Sequence, residues 1–222
     1  MTRGELARLI DHSVLKPEAT ELDIRSGADI VRSLQIGFFC VQPSWVKRAA
    51  TLLVGANARV VAVIGFPHGC DRFEAKARAA ALAVADGAGE IDMVMNFGAL
   101  KSGLIDEVTA DIRAVVGAVA AVPVKVILET AALTEGEKLL ACQIVRNSGA
   151  AFVKTSTGFH PSGGATLDDV SLLRSAVGPT VGVKASGGIR DLGDTLAMLD
   201  AGASRIGTSA SAAILAALDA AS

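Results

Sequence analysis

Apolar residues along this chain follow two rhythms. Short, nearly unbroken apolar runs occupy residues 9–12, 38–41, 59–64, 90–94, 124–128, 152–154, 181–184 and 205–207, each of strand length. Between them lie alanine-rich stretches at 73–86, 104–119, 135–147, 168–176 and 193–201, where apolar positions recur every three or four residues. That spacing predicts helices burying one face. Several of these stretches run into Gly-Ala before the next strand, at Gly87-Ala88, Gly149-Ala150 and Gly202-Ala203. A glycine there can adopt the left-handed conformation that ends a helix. Strands alternating with helices imply parallel βαβ units, and strands that lack polar alternation imply a sheet covered on both faces.

Eight such units in 222 residues, with no compositional boundary and no long Pro/Ser linker, predict one domain spanning residues 1–222. The fold class is α/β, a single (β/α)8 TIM barrel, with a doubly wound open sheet as the alternative. In such a barrel the chemistry gathers at the C-terminal ends of the strands. Asp11, Asp92, Glu129, Lys154 and Lys184 are expected at or near those ends. A satisfied interior ion pair explains any one of them as well as function does, but explains all five together less well.

Composition narrows the function. At 51% hydrophobic residues and a net charge of -2, the chain can bury one sizeable core and has no electrostatic bias toward nucleic acid or an anionic membrane. A small-molecule substrate is expected instead. Cys40, Cys70 and Cys142 are odd in number and form no C-x-x-C pair, which indicates neither a disulfide framework nor a zinc module and fits a reducing cytoplasm. No apolar run reaches the roughly 18 residues of a membrane span, and Met1-Thr2-Arg3-Gly4-Glu5 lacks the plan of a signal peptide, so a soluble, unexported protein is expected. His12, His68 and His160 are too scattered for a metal centre and read as hydrogen-bonding rim residues. Ser156, Ser186 and Ser209 have no G-x-S-x-G context.

Two stretches carry the candidate chemistry. Val153-Lys154-Thr155-Ser156 and, 30 residues later, Val183-Lys184-Ala185-Ser186 each put a lysine in an apolar strand before a small hydroxyl residue and a glycine. Burying an ammonium is costly, so such a lysine is paired with a carboxylate, reaches out to water, or is held neutral as a nucleophile. Two amines side by side lower one another's proton affinity. Lowering a lysine pKa by about three costs roughly 4 kcal/mol, which desolvation plus one close cation can supply. The alternative is a structural pair with Asp92 or Glu129. Lys125 begins its strand and is the weaker candidate, with a carboxylate-paired place beside Asp11. Cys40 either lines the pocket or is a small core residue. Gly187-Gly188 and Gly207-Thr208-Ser209 precede helices, an arrangement that suits a phosphate. Gly158, Gly163-Gly164 and Thr166 extend that rim, although glycines also simply make turns.

Taken together, Leu9-Ile10-Asp11-His12-Ser13-Val14-Leu15-Lys16-Pro17, Cys40-Val41-Gln42-Pro43, Gly65-Phe66-Pro67-His68-Gly69, Glu90-Ile91-Asp92-Met93-Val94, Lys125-Val126-Ile127-Leu128-Glu129-Thr130 and the stretches 152–159, 182–189 and 205–209 resemble the deoxyribose-phosphate aldolase family over almost the whole chain. The resemblance implies a class I aldolase that splits 2-deoxy-D-ribose 5-phosphate into D-glyceraldehyde 3-phosphate and acetaldehyde, without metal or organic cofactor. It implies that Lys154 forms the Schiff base, that Lys184 perturbs it and that Asp92 moves protons through water. It further implies substrate contacts from Asp11, Cys40, Lys125 and Thr155, phosphate contacts from Gly158, Gly187, Gly188, Gly207 and Ser209, and a homodimer or homotetramer. The chain departs from the family pattern at Gln42 and at His160-Pro161, and it has no tyrosine to serve in proton transfer. Two other readings stay open: a Schiff-base lyase for another phosphorylated sugar, and a non-catalytic phosphosugar-binding barrel.

Overall fold

The computed structural model describes residues 1–119 and 122–221; Ala120 and Ala121, inside the apolar run 114–124, and Ser222 lie outside the described residues. Eight strands, β1 (Ile10–Val14), β2 (Phe38–Val41), β3 (Arg59–Ile64), β4 (Ala88–Val94), β5 (Val124–Ile127), β6 (Phe152–Lys154), β7 (Gly182–Ser186) and β8 (Arg205–Thr208), alternate with helices. The helices are α1 (Arg3–Leu9), α2 (Glu21–Ser33), α3 (Val46–Leu52), α4 (Phe73–Ala85), α5 (Phe97–Lys101), α6 (Ile105–Ala118), α7 (Glu135–Asn147), α8 (Leu167–Val177), α9 (Leu192–Asp200) and α10 (Ser211–Ala221). All strands are parallel and pair in sequence order, β8 closing on β1. The chain is a (β/α)8 barrel, not an open doubly wound sheet.

Helix ends follow from local chemistry. Thr2, Thr20 and Thr134 each accept from the N3 amide while the N3 carboxylate reaches back, a capping box at α1, α2 and α7. Each such cap contributes about 1 kcal/mol. Gly87, Gly149 and Gly202 follow α4, α7 and α9 with φ of 108°, 79° and 112°, the positive values that their position after the helices suggested.

Alternation along the strands divides the apolar residues into two compartments. Val60, Ala62 and Ile64 point outward into the main core beneath the helices, while Val61 and Val63 join Cys40 in a small cluster of their own with Phe38 against it. The interior positions of the other strands are largely charged. Glu90 and Asp92 on β4, Lys125 on β5, Lys154 on β6, Lys184 on β7, Arg205 on β8 and Asp11 on β1 are all buried.

Strand ends moved relative to the sequence reading. Leu9 belongs to α1, and β1 continues to Val14 because Ser13 and Val14 still pair with Cys40 and Val41. β7 likewise runs on to Ser186, paired with Gly207. Asp11 and Lys184 are therefore in mid-strand rather than at a strand end. The backbone ladder ignores the polarity of serine, which is what made those runs look finished.

Candidate active site

Lys154 ends β6, and its register partner on β7 is Lys184. Facing residues on adjacent parallel strands project to the same side of the sheet, so the two amines enter the barrel together. Lys154 Nζ donates to Asp92 Oδ2 at 2.8 Å, and Lys184 Nζ donates to the same oxygen at 2.7 Å. Lys184 also donates to Asp11 Oδ2. Space for its stem comes from Gly207, where a β-carbon would lie 3.1 Å from Lys184 Cε and 2.9 Å from Ser186 Cβ.

The proton affinities of the two amines shift in opposite directions. Burial pushes Lys154 below the usual lysine value, and Lys184 adds to that push; its one carboxylate, Asp92, only partly opposes them. Burial acts on Lys184 in the same direction, but Asp11 and Asp92 together outweigh it and raise its affinity. Burial also works against the charge of Asp92, yet Lys125, Lys154 and Lys184 hold that carboxyl well below the ordinary range. Lys184 thus holds its proton more tightly than an ordinary lysine and Lys154 less tightly, the direction of shift that favours a lysine nucleophile.

Below the two amines the ion pairs continue. Lys125 Nζ donates to Asp92 Oδ1 at 2.8 Å and lies 2.5 Å from Glu90 Oε2. Arg205 Nη2 joins Glu90 Oε2 at 3.1 Å to Asp11 Oδ1 at 2.5 Å, with its guanidinium over the Phe38 ring. Lys125 thus finds its carboxylates in Asp92 and Glu90 rather than in Asp11.

Above them opens a cavity of about 810 Å³ whose floor includes Lys154, Lys184, Asp11 and Cys40. Burial pushes the Cys40 thiol up to about 11, so it stays protonated. Gly158, Gly187, Gly188, Gly207 and Ser209 form part of the rim. Gly187 and Gly188 both have φ of 87°, a region that favours glycine, and Gly164 packs directly on the Gly187 backbone. Lys16 and Arg190 also face the cavity. α10 starts two residues beyond Ser209, whereas the first turn of α9 is already capped by Asp191, which accepts from Asp194 N at 2.8 Å. Of the two helices expected to favour an anion, α9 has its N-terminus closed by a carboxylate.

Three expected contacts do not reach this cavity. Asp92 is fully buried beneath the two lysines, and Lys125 lies in the layer of ion pairs under it. Thr155 directs its hydroxyl to the Ser186 backbone, accepting from Ser186 N at 3.1 Å, and so clamps β6 to β7. Glu129 shapes the next loop from a left-handed conformation, φ 59°, accepting from both the amide and the hydroxyl of Thr157. Of the histidines, His12 lines the cavity and bonds Ser211 Oγ through Nδ1 at 2.9 Å, and burial lowers it to about 4 and keeps it neutral. His160 does not line the cavity; it meets the Phe97 ring edge-on, and its Nδ1 accepts from Ser162 N at 3.2 Å. Sequence reading passed over Glu90 and Arg205. Their signal was the period of two that sets them on the same strand faces as Asp92 and Gly207. Among the described residues no group of three or more His, Cys, Asp or Glu side chains is placed to hold a metal ion.

Comparison with known proteins places this arrangement. The family model described as DeoC/LacD family aldolase matches residues 6–217. The chain is 54% identical over 216 residues to a deoxyribose-phosphate aldolase from Methanothermobacter thermautotrophicus, covering 96% of this chain and 95% of that one. It is 51% identical over 208 residues to one from Brevibacillus brevis, covering 94% of each. Among solved structures, one described as a tetrameric deoxyribose phosphate aldolase from Aeropyrum pernix superposes with a TM-score of 0.91 at 31% identity, covering all of this chain and 94% of that one. With a match of this extent over a closed barrel that holds two lysines on one carboxylate, the chain belongs to the DeoC/LacD family of aldolases.

Proposed function

We propose that this chain reversibly cleaves 2-deoxy-D-ribose 5-phosphate to D-glyceraldehyde 3-phosphate and acetaldehyde through a Schiff base on Lys154. The observation that carries the reading is the Lys154 amine, held at the cavity floor by one carboxylate that it shares with a second amine. The neutral amine adds to the C1 aldehyde of the open-chain sugar, and water leaves to form an iminium. The C2–C3 bond then breaks, its electrons pass into the iminium to give an enamine, and the C3 hydroxyl loses its proton as glyceraldehyde 3-phosphate departs. Protonation of the enamine carbon and hydrolysis release acetaldehyde and restore Lys154. The iminium is the electron sink, so the scheme calls on no metal or organic cofactor.

The Lys184–Asp92 pair and water carry the protons. Asp92 is covered by the two amines, so its proton exchange with substrate passes through Lys184 or a water rather than by direct contact. Such general acid–base help contributes on the order of 10² to 10⁴ in rate. The phosphate lies against the backbone of Gly187 and Gly188 and against Gly207, Ser209 and the start of α10, where helix amides and the dipole favour an anion. The protein works in the cytoplasm as a homodimer or homotetramer. The free state of all three cysteines supports a reducing compartment, and the tetrameric Aeropyrum pernix relative supports an assembly.

Product identification tests the reaction. 2-Deoxyribose 5-phosphate should disappear as acetaldehyde and glyceraldehyde 3-phosphate appear in equal amounts. Turnover only of a different phosphosugar would assign the site to another Schiff-base lyase, and binding without turnover would make the barrel a non-catalytic phosphosugar binder.

A further inference from the structure

The buried ion pairs close on themselves. From Asp92 the contacts run to Lys184, to Asp11, to Arg205, to Glu90, to Lys125 and back to Asp92. Carboxylates and cations alternate round this ring. Each of its three cations touches two of its carboxylates, and each of its three carboxylates touches two of its cations. Lys154 is outside the ring and meets it only at Asp92. The ring by itself is neutral, and a protonated Lys154 adds one uncompensated positive charge to a buried cluster. Charges there interact more strongly than in water, so Lys154 is the member whose proton leaves first.

We propose that Glu90 and Arg205, on the far side of this ring from Lys154, are positioning residues for the amine chemistry: they complete the charge balance that makes Lys154 the surplus cation. Neither lines the cavity, and both are buried, Glu90 at 3% and Arg205 at 6% exposure. Lys154 is faced by Asp92 from β4, Lys184 from β7 and Cys40 from β2, with Asp11 and Lys125 next beyond them in the ring. The thiol of Cys40 stays protonated. One further cation reaches the ring from outside: Arg59 Nη1 lies 3.9 Å from Glu90 Oε1, but its side chain is 65% exposed, and solvent screens most of its effect.

The inference rests on the Schiff-base reading and has its own signature, a change of sign. Glu90→Gln removes a negative charge, so Lys154 loses its proton more readily. Arg205→Gln removes a positive charge, so Lys154 holds its proton longer. The test is the pH profile of acetaldehyde adduct formation at Lys154, trapped with borohydride and located by peptide mapping, in full-length protein that melts cooperatively. The rising limb should move by about one pH unit to lower pH in Glu90→Gln and by about one to higher pH in Arg205→Gln. The double variant is neutral again and should return toward the parent profile, and Glu90→Asp, which keeps the charge, should leave the limb near its parent position. Movement of both single variants in one direction, or a double variant displaced as far as a single one, would overturn the ring's role while leaving the aldolase reading intact. If either single variant does not fold, the double variant and Glu90→Asp still decide, because movement of the limb in both of them contradicts charge balance. A parent protein that forms no adduct at any pH overturns the aldolase reading and the inference with it.

Discussion

Lys154 and Lys184 have the same side chain, are both buried and have one carboxylate oxygen in common, yet their proton affinities shift in opposite directions because Lys184 has a second carboxylate. Asp11 makes that difference. Lys184→Leu removes the cation beside Lys154 and leaves Asp11 and Asp92 less neutralised, so Lys154 keeps its proton to higher pH. On the proposed Schiff-base route the neutral amine is the nucleophile, so adduct formation near neutral pH should fall about tenfold for every pH unit by which the rising limb moves up, and it should recover in alkaline buffer. An unchanged pH profile would remove Lys184 from this role. Asp92→Asn should still yield trapped adduct while turnover falls about 10² or more. Near-normal turnover in that variant would mean that another group carries the proton. Both lysines and Asp92 were legible in the sequence because a charge in an apolar strand needs a reason. Glu90 and Arg205 were passed over because each opens an apolar run in the sequence, where a charge looks like a solvated end; in the barrel Glu90 is the third residue of β4, and both positions are buried.

At the scale of elements, the alternation of runs predicted every strand and the helices α4, α6, α7, α8 and α9, whose misplacement was confined to the ends, where Leu9, Ser13 and Ser186 obey their backbone partners rather than their polarity; α1, α2, α3 and α5 were not marked out. Glycine placement was legible as turns but not as packing. Gly182 of β7 faces the Phe152 ring, and a β-carbon there would sit 2.1 Å from two of its carbons. Gly182→Ala should therefore destabilise by about 1–3 kcal/mol, read as a lower urea midpoint; an unchanged midpoint would mean that the ring can move aside freely. Gly188 is the contrast. Among the described residues other than its chain neighbours, no atom lies within 4 Å of its missing β-carbon, but its φ of 87° is unfavourable for most other residues. Gly188→Val is thus a change at the loop rather than in the barrel, and it should lower kcat/KM for 2-deoxyribose 5-phosphate strongly while scarcely affecting unphosphorylated 2-deoxyribose. Equal losses for both sugars would place the phosphate elsewhere.

For the molecule as a whole, the fold separates two jobs. The apolar core outside the barrel holds the helices on, and the barrel's inside holds charge where a sugar can meet it. Such an interior makes stability depend on pH. Asp11 and Asp92 both have affinities for protons below their ordinary values in the folded chain, so the unfolded chain binds more protons in acid and the stabilisation they provide is lost as pH falls below about 4. Urea unfolding followed from near neutral pH into that range should show the loss, and Asp11→Asn should show a shallower one; parallel pH dependence in both proteins would mean that these carboxylates are not the titrating groups. The most direct test of the chemistry is the position of the trapped adduct. After borohydride reduction in the presence of acetaldehyde, peptide mapping should place the added ethyl group on Lys154 alone; an adduct on Lys184 or Lys125, or none on any of the three, would contradict a Schiff base at the end of β6.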